Sequence, residues 1–202
     1  LNHRKFIYIT TAIILVFSIA GIFKLKSVAY IVDDLPQTDK IYTDLKFFEQ
    51  NFKGVMPLEI LVSTSSKAGI IRDLEGLNKI DSLSVSVASI PGMARPLSII
   101  EGLKFAKQAF FEGDSLNYSM PSQFDLPAMV EYLKFKKDTT GTTNSFSKLV
   151  SSFMDSSRQE ARISINMEDV GNVRLPEILD SITKKTNQLF SNKKYTVQLT
   201  GT

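Results

Sequence analysis

Asp33 and Asp34 are adjacent carboxylates, the closest pair of acids in the first third of the chain. Neighbours on an extended chain point to opposite sides, so the two cannot face one reacting bond. Negative charge at a helix N-terminus, just before Pro36, explains them more simply. Lysines recur in short runs at Lys134, Lys136 and Lys137, at Lys184 and Lys185, and at Lys193 and Lys194. Each run lies on or beside an expected helix, where a solvated face is the ordinary reading and contact with lipid phosphate the functional one. Phe105, Phe110, Phe111, Met120, Phe124 and Met129 make the middle of the chain rich in soft apolar side chains. Core packing is the ordinary reading there; a greasy substrate path or partner surface is the functional one, and these six residues are its candidates.

The chain holds no Cys and a single His, His3. That excludes disulfides, thiolate metal sites, a Cys nucleophile, His-based triads and clustered imidazole ligands. Gly54, Gly69, Gly76 and Gly92 are spaced too widely for a phosphate-cradling loop. The expectation is a protein with no catalytic residues, no metal and no cofactor, and not an enzyme.

The 202 residues carry 24 basic and 21 acidic side chains, a net charge of +3. Arg4 and Lys5 account for two of the basic ones, so the body is close to neutral and offers no clustered basic face for nucleic acid. Mean hydropathy is zero, high for a soluble domain, because apolar residues are concentrated in one place. Residues 6–23, FIYITTAIILVFSIAGIF, contain no charge and are flanked by His3, Arg4 and Lys5 before and by Lys24 and Lys26 after. As a helix this run spans roughly 27 Å, near the ~30 Å hydrocarbon core of a bilayer. Thr10, Thr11 and Ser18 can bond back to the helix, and the lysines can snorkel. A cleaved signal peptide, with Ser27-Val28-Ala29 as its site, would have a shorter apolar region and no lysines before the cut. A buried core helix would show polar positions on one side. A membrane anchor over residues 6–26 fits the length best, with 1–5 as a short N-terminal segment. The flanking charges alone leave its direction open.

The body, 27–202, reads as alternating strands and helices. Ile41, Leu45, Phe48 and Phe52 recur at helical spacing over 38–52, with Gly54 as the expected C-cap. Leu58, Ile60 and Val62 share one face of a strand. A helix capped by Ser65 or Ser66 carries Ile70, Ile71, Leu74, Leu77 and Ile80, and Ser84 to Ser89 alternates as a weaker strand. Pro91-Gly92 marks a turn, and Pro96 opens a helix through Leu103 towards Phe110. Ser122-Gln-Phe-Asp125 resembles a capping box before Leu126 to Leu133, and 138–147 is a loop by composition. Residues 91–147 therefore read as a helical insertion.

The second half repeats the order. Leu149 to Met154 is a short strand and Asp155 to Arg158 a polar turn. Ile163, Ile165 and Met167 lie on one face of a clean strand. Pro176 opens a helix with Ile178, Ile182, Thr186 and Leu189 in register, and Tyr195, Val197 and Leu199 alternate in a last strand. Two strand–helix–strand units with one apolar face imply an α+β fold: a mainly antiparallel sheet backed by helices, of the split β-α-β, ferredoxin-like kind. The other face would be polar, carrying Glu59, Ser84, Ser86, Arg162, Ser164 and Thr196.

An uncharged span, an acidic Pro-containing turn, then FEQNFKGVMPLEILV at 48–62 is a distinctive order. It resembles the resistance–nodulation–division (RND) superfamily, in particular its MMPL-like, predicted lipid-exporter branch. There the first membrane helix is followed by a helix ending in Phe-Gly or a near variant, then Pro and a hydrophobic strand. The matching residues here are Phe52-Lys-Gly54 and Pro57 to Val62, Lys53 being a departure from the commoner contiguous Phe-Gly. The family's first extracytoplasmic domain ends on a strand and a Thr-Gly-Thr/Ser signature, matched by Val197 to Thr202. The resemblance implies the first membrane helix and first porter domain of a longer, proton-driven exporter of hydrophobic or amphiphilic molecules. It places the body in the periplasm of the bacterial inner membrane. It implies the bilayer, the rest of the same chain, such a substrate and a possible homo-oligomer as partners, and no nucleic acid. Residues 6–23 hold no Asp or Glu, so a proton relay would lie elsewhere. A single-pass anchored binding or scaffold module without transport is the alternative.

Overall fold

The computed structural model describes residues 4–25, 29–30, 35–125 and 151–201. The apolar run forms helix α1, Arg4–Lys24, long and apolar enough to cross a membrane, and the one such helix among the described residues. None of its residues is buried, so it is not a core helix of this domain. Thr10 and Thr11 donate their hydroxyls to the carbonyls of Phe6 and Ile7, each at 2.9 Å, which hides their polarity within the helix.

Helix α2, Lys40–Phe52, starts at Asp39, whose carboxylate accepts the Ile41 N–H at 2.8 Å. It ends differently from expectation: Lys53, not Gly54, takes the left-handed cap position at φ 55°. Gly54 is needed for another reason. At φ 120° it lies against β2, and a Cβ there would sit 2.0 Å from the Met167 backbone.

Strand β1, Met56–Thr64, is the centre of a three-stranded antiparallel sheet of order β2-β1-β3. Its edges are β2, Glu160–Met167, and β3, Tyr195–Thr200. The register pairs Leu58 with Ile165, Ile60 with Ile163 and with Leu199, and Val62 with Ala161 and with Val197. Period-two alternation puts Leu58, Ile60, Val62, Ile163 and Ile165 on one face with almost no exposure, as the sequence requires. Each such side chain contributes about 1.5–3 kcal/mol by leaving water.

Helix α3 spans Leu74–Ala88 and overturns two expectations. Its cap is Asp73, whose side chain accepts the Gly76 N–H, rather than Ser65 or Ser66; a tight 3₁₀ turn at Ile70–Arg72 intervenes. Of residues 84–89, expected as a strand, 84–88 complete this helix and Ser89 is its C-cap. Leu77, Ile80, Leu83, Ser84 and Val87 extend one buried helical stripe, while Val85 points outwards at 65% exposure. The Ser–Val alternation is thus local, and the 3.6-residue period prevails. Ser84 and Ser86 do not belong to the polar sheet face.

With that strand gone, segment 93–97 takes the outer edge of β2. Ala94 N–H bonds Asn166 at 2.8 Å, and Leu97 and Ser164 exchange both backbone bonds at 2.8 Å. Helix α4, Ile99–Phe110, then starts at Ser98, whose hydroxyl accepts the Ile100 N–H, two residues after the Pro96 expected to open it. Its Ile99, Ile100 and Leu103 are fully buried, so the first part of the expected insertion is built into the core. The Ser122–Asp125 box forms: the Ser122 N–H donates to Asp125 Oδ2 at 2.9 Å, and the Asp125 N–H reaches Ser122 Oγ at 3.3 Å. The helix expected over 126–133, Lys134, Lys136, Lys137, the loop 138–147 and Met129 lie outside the described residues, as do Asp33 and Asp34. Of the strand expected over 149–154, the described part makes one bridge, Met154 to Ala161.

Helix α5, Gly171–Leu189, starts five residues before Pro176. The proline ring sits on the exposed side, and Asp169 Oδ1 accepts the Gly171 N–H at 3.2 Å to start the extra turn. Ile178, Ile182 and Thr186 are buried, and α5 packs beside α3 over the apolar sheet face. The result is a mixed α+β body with one N-terminal apolar helix.

Candidate functional site

A cleft of about 390 Å³ opens where α3, the 93–97 edge and α4 meet. Helical spacing aligns its α3 wall: Asp81, Ser84, Val85 and Ala88 fall at i, i+3, i+4 and i+7. Glu101 and Lys104 enter from α4 by the same rule, Arg95 from the edge segment, and Lys53 from the cap of α2.

The charges are cross-linked. Lys104 Nζ lies 2.6 Å from Asp81 Oδ1 and 3.9 Å from Glu101 Oε1, joining α3 to α4 while its side chain is only 14% exposed. Arg95 Nη2 reaches Glu101 Oε2 at 2.6 Å and donates to the Tyr118 hydroxyl at 3.4 Å; that hydroxyl donates in turn to Glu101. Burial, and then the bond to the Glu101 carboxylate, hold the Tyr118 phenol above its usual range, so it remains a donor. Both carboxylates of the cleft are thereby matched to a cation. Lys53, left-handed and exposed, has no carboxylate partner among the described residues. The Ser84 hydroxyl is sealed from solvent and has no hydrogen-bond partner.

Five of the six aromatic and methionine candidates are described, and none of the five lines this cleft. Phe105 and Phe124 stand out at 57% and 81% exposure. Phe110 and Phe111 meet edge to face with ring centres 5.2 Å apart, both partly exposed. Met120 is half-buried against the core. The structure thus brings Phe110 and Phe111 together, leaves Phe105 and Phe124 outward, and uses Met120 for packing.

The lysine runs divide similarly. Lys184 pairs with Asp180 on an exposed helix face at 2.6 Å, a solvated pair of small energetic weight. Lys194 instead reaches the buried Asp73 at 2.8 Å, where the Tyr195 hydroxyl also donates at 2.9 Å. Burial pushes the Asp73 carboxyl up, but the bonds from Lys194, Tyr195 and the Gly76 N–H outweigh it and hold the group below the usual range. The same contact, led by the bond to Asp73, holds the Lys194 ammonium above its usual range. This cluster ties the cap of α3 to β3 and is structural.

Sequence reasoning missed Asp81, Ser84, Arg95, Glu101 and Lys104. For Asp81 and Ser84 the signal was their i, i+3 spacing, legible only once 84–88 is read as helix; Arg95, Glu101 and Lys104 lie on other segments and share no spacing with them. Among the described residues no group of three or more His, Cys, Asp or Glu side chains is placed to hold a metal ion. No family model matches the sequence, and no curated protein matches it.

Proposed function

We propose that this chain is the first membrane helix and first periplasmic porter domain of an RND-type exporter of the MMPL-like branch, anchored in the bacterial inner membrane. The observation that carries the reading is where the body joins its neighbours. Ala29 and Asn172 exchange two bonds, 3.0 and 3.1 Å, at the start of α5. Lys24, the last residue of α1, and Ala29 are five residues apart, so chain reach holds this contact within about 18 Å of the end of α1. At the same end of the sheet Met56 pairs with Met167, and Gly201 lies against the Pro57 carbonyl. Entry and exit therefore share one end, as a domain inserted between two membrane helices needs.

The strand order β2-β1-β3, with helices over one face and 93–97 beside β2, supports a split β-α-β, ferredoxin-like body. In this reading the sheet and its helices move as a unit when the membrane repeats rock, opening and closing a path for hydrophobic or amphiphilic molecules. Phe105, Phe110, Phe111 and Phe124 form the outward surface such a molecule would meet. The proton relay belongs to carboxylates beyond this segment, since α1 has none.

The test is the coding sequence beyond the Thr202 codon. An apolar span within a few residues, several more close behind and a second copy of this unit are the expected result. A stop codon, or a soluble continuation, would refute transport and leave an anchored module. Direction is tested separately: the chain has no Cys, so a single Leu116→Cys, 87% exposed, should react with a membrane-impermeant maleimide in intact spheroplasts.

A further inference from the structure

We infer that helix α2 lies in the surface of the bilayer that α1 crosses, with its aromatic stripe sunk among the lipids. The inference rests on one part of the proposed function, the membrane passage of α1, and not on transport. Of helices α2 to α5, only α2 buries none of its residues. A helix of 13 residues is marginal in water by itself and ordinarily draws its stability from a packed apolar face. That face exists here: Ile41, Leu45, Phe48 and Phe52 fall at i, i+4, i+7 and i+11 along one side. The Phe48 and Phe52 rings lie 5.3 Å apart, yet Ile41 and Phe52 are 59% and 56% exposed. The helix meets the body on another side, where Glu49 accepts the Asp169 N–H at 3.3 Å. Half-buried Tyr42 and Lys46 share that side with Glu49.

Position decides what covers the stripe. Asp169, the partner of Glu49, is three residues from Asn172, whose contact with Ala29 lies within about 18 Å of the end of α1. The C-terminal end of α2 closes on the same corner, where Gly54 packs against Met167 and Glu168. Helix α2 therefore stands at the end of the body where the chain leaves the membrane. The other end of the sheet is roughly 27 Å away along β1. An interfacial helix sinks its Phe and Leu side chains about 5–10 Å into the boundary between head groups and acyl chains and keeps a polar side in water. Thr43, Lys46 and Gln50 form that polar side, opposite the stripe. The contact holds for an anchored module as well as for a transporter.

The chain has no Trp, so single tryptophans report depth without background. The full chain carrying Phe52→Trp is placed in nanodiscs of phosphatidylcholine brominated near the carbonyl end of its acyl chains. Its emission should fall about twofold relative to unbrominated discs, and by less when the bromine sits near the methyl end. Phe17→Trp, within α1, reports the anchor and should be quenched most by bromine near the methyl end. Lys67→Trp, exposed beyond the far end of β1, should keep its emission. Adding Ile41→Ser and Phe48→Ser to Phe52→Trp should restore most of the emission with little change in melting temperature, because both side chains are exposed. Quenching of Phe17→Trp without quenching of Phe52→Trp would overturn the placement of α2 and leave the anchor standing. Quenching of neither would remove the anchor, and this inference with it. A blue shift of Phe52→Trp without quenching would assign the stripe to a second copy or another protein segment and refute the lipid contact. Equal quenching of Lys67→Trp and Phe52→Trp would refute it too.

Discussion

Gly54 joins α2 to β1, and its replacement by Ala probes whether the end of β2 is held as closely to that corner as the geometry requires. The added Cβ would lie 2.0 Å from the Met167 carbonyl carbon and oxygen and 2.4 Å from the Glu168 nitrogen. Those are backbone atoms of a paired strand, so no side chain can swing aside. Ordinary contact begins at 3.4 Å, and strand β2 would have to be displaced from the corner. A φ of 120° adds conformational strain of about 1–3 kcal/mol, and overpacking adds about 1–3 kcal/mol. Together they predict a loss of about 2–6 kcal/mol, or roughly 4–24 °C in melting temperature for a domain of this size. Gly113→Ala is the internal control. It has φ 85° but nothing within 4 Å of the added carbon, so it should lose only the strain, about 1–2 kcal/mol. Near-ultraviolet circular dichroism of the full chain reads both melts. Equal melting temperatures for the two variants would refute the close approach of Gly54 to β2.

Ile165→Asp places a carboxylate at a position 1% exposed, with only apolar neighbours on its face, and should destabilise the body by about 4 kcal/mol or more in urea unfolding. An unchanged midpoint would mean that the faces of β2 are reversed. Asp73 is held below the usual carboxylate range, so its stabilising contribution is complete above about pH 4 and is lost as pH falls through the lowered native value. Asp73→Asn should cost about 2 kcal/mol at neutral pH, and the gap to the parent should close in acid; a gap constant from pH 7 to 2 would contradict the Lys194 and Tyr195 contacts. Phe105→Ser, at an outward position, should change stability by less than about 1 kcal/mol, and a large drop in melting temperature would show that the ring is packed.

The sequence by itself determined the elements whose apolar period is long and unambiguous. Residues 6–23 have no polar face to hide, so they form an exposed apolar helix of spanning length whatever surrounds them. The alternation at Leu58 to Val62, Ile163 to Met167 and Tyr195 to Leu199 specifies strands, because a slip of one residue would turn every side chain to the wrong face. The Ser122–Asp125 box is equally legible, since its bonds lie within four residues.

Tertiary contact decided the rest. Ser84 to Ser89 fits a strand by local alternation, but Leu83, Ser84 and Val87 gain burial only by extending the stripe of α3. That choice moved the outer sheet edge to 93–97 and aligned Asp81, Ser84 and Ala88 along one wall. The sequence marks Gly54 as a helix stop, whereas its indispensable role comes from the passage of Met167, more than a hundred residues later. The cleft follows the same rule. Lys53, Ser84, Arg95 and Lys104 share no motif, and only the packing of α4 against α3 and the edge segment brings them around one space. Local periodicity fixes an element because its cost is paid within one turn or one strand; a site assembled from four separate segments depends on how those elements dock.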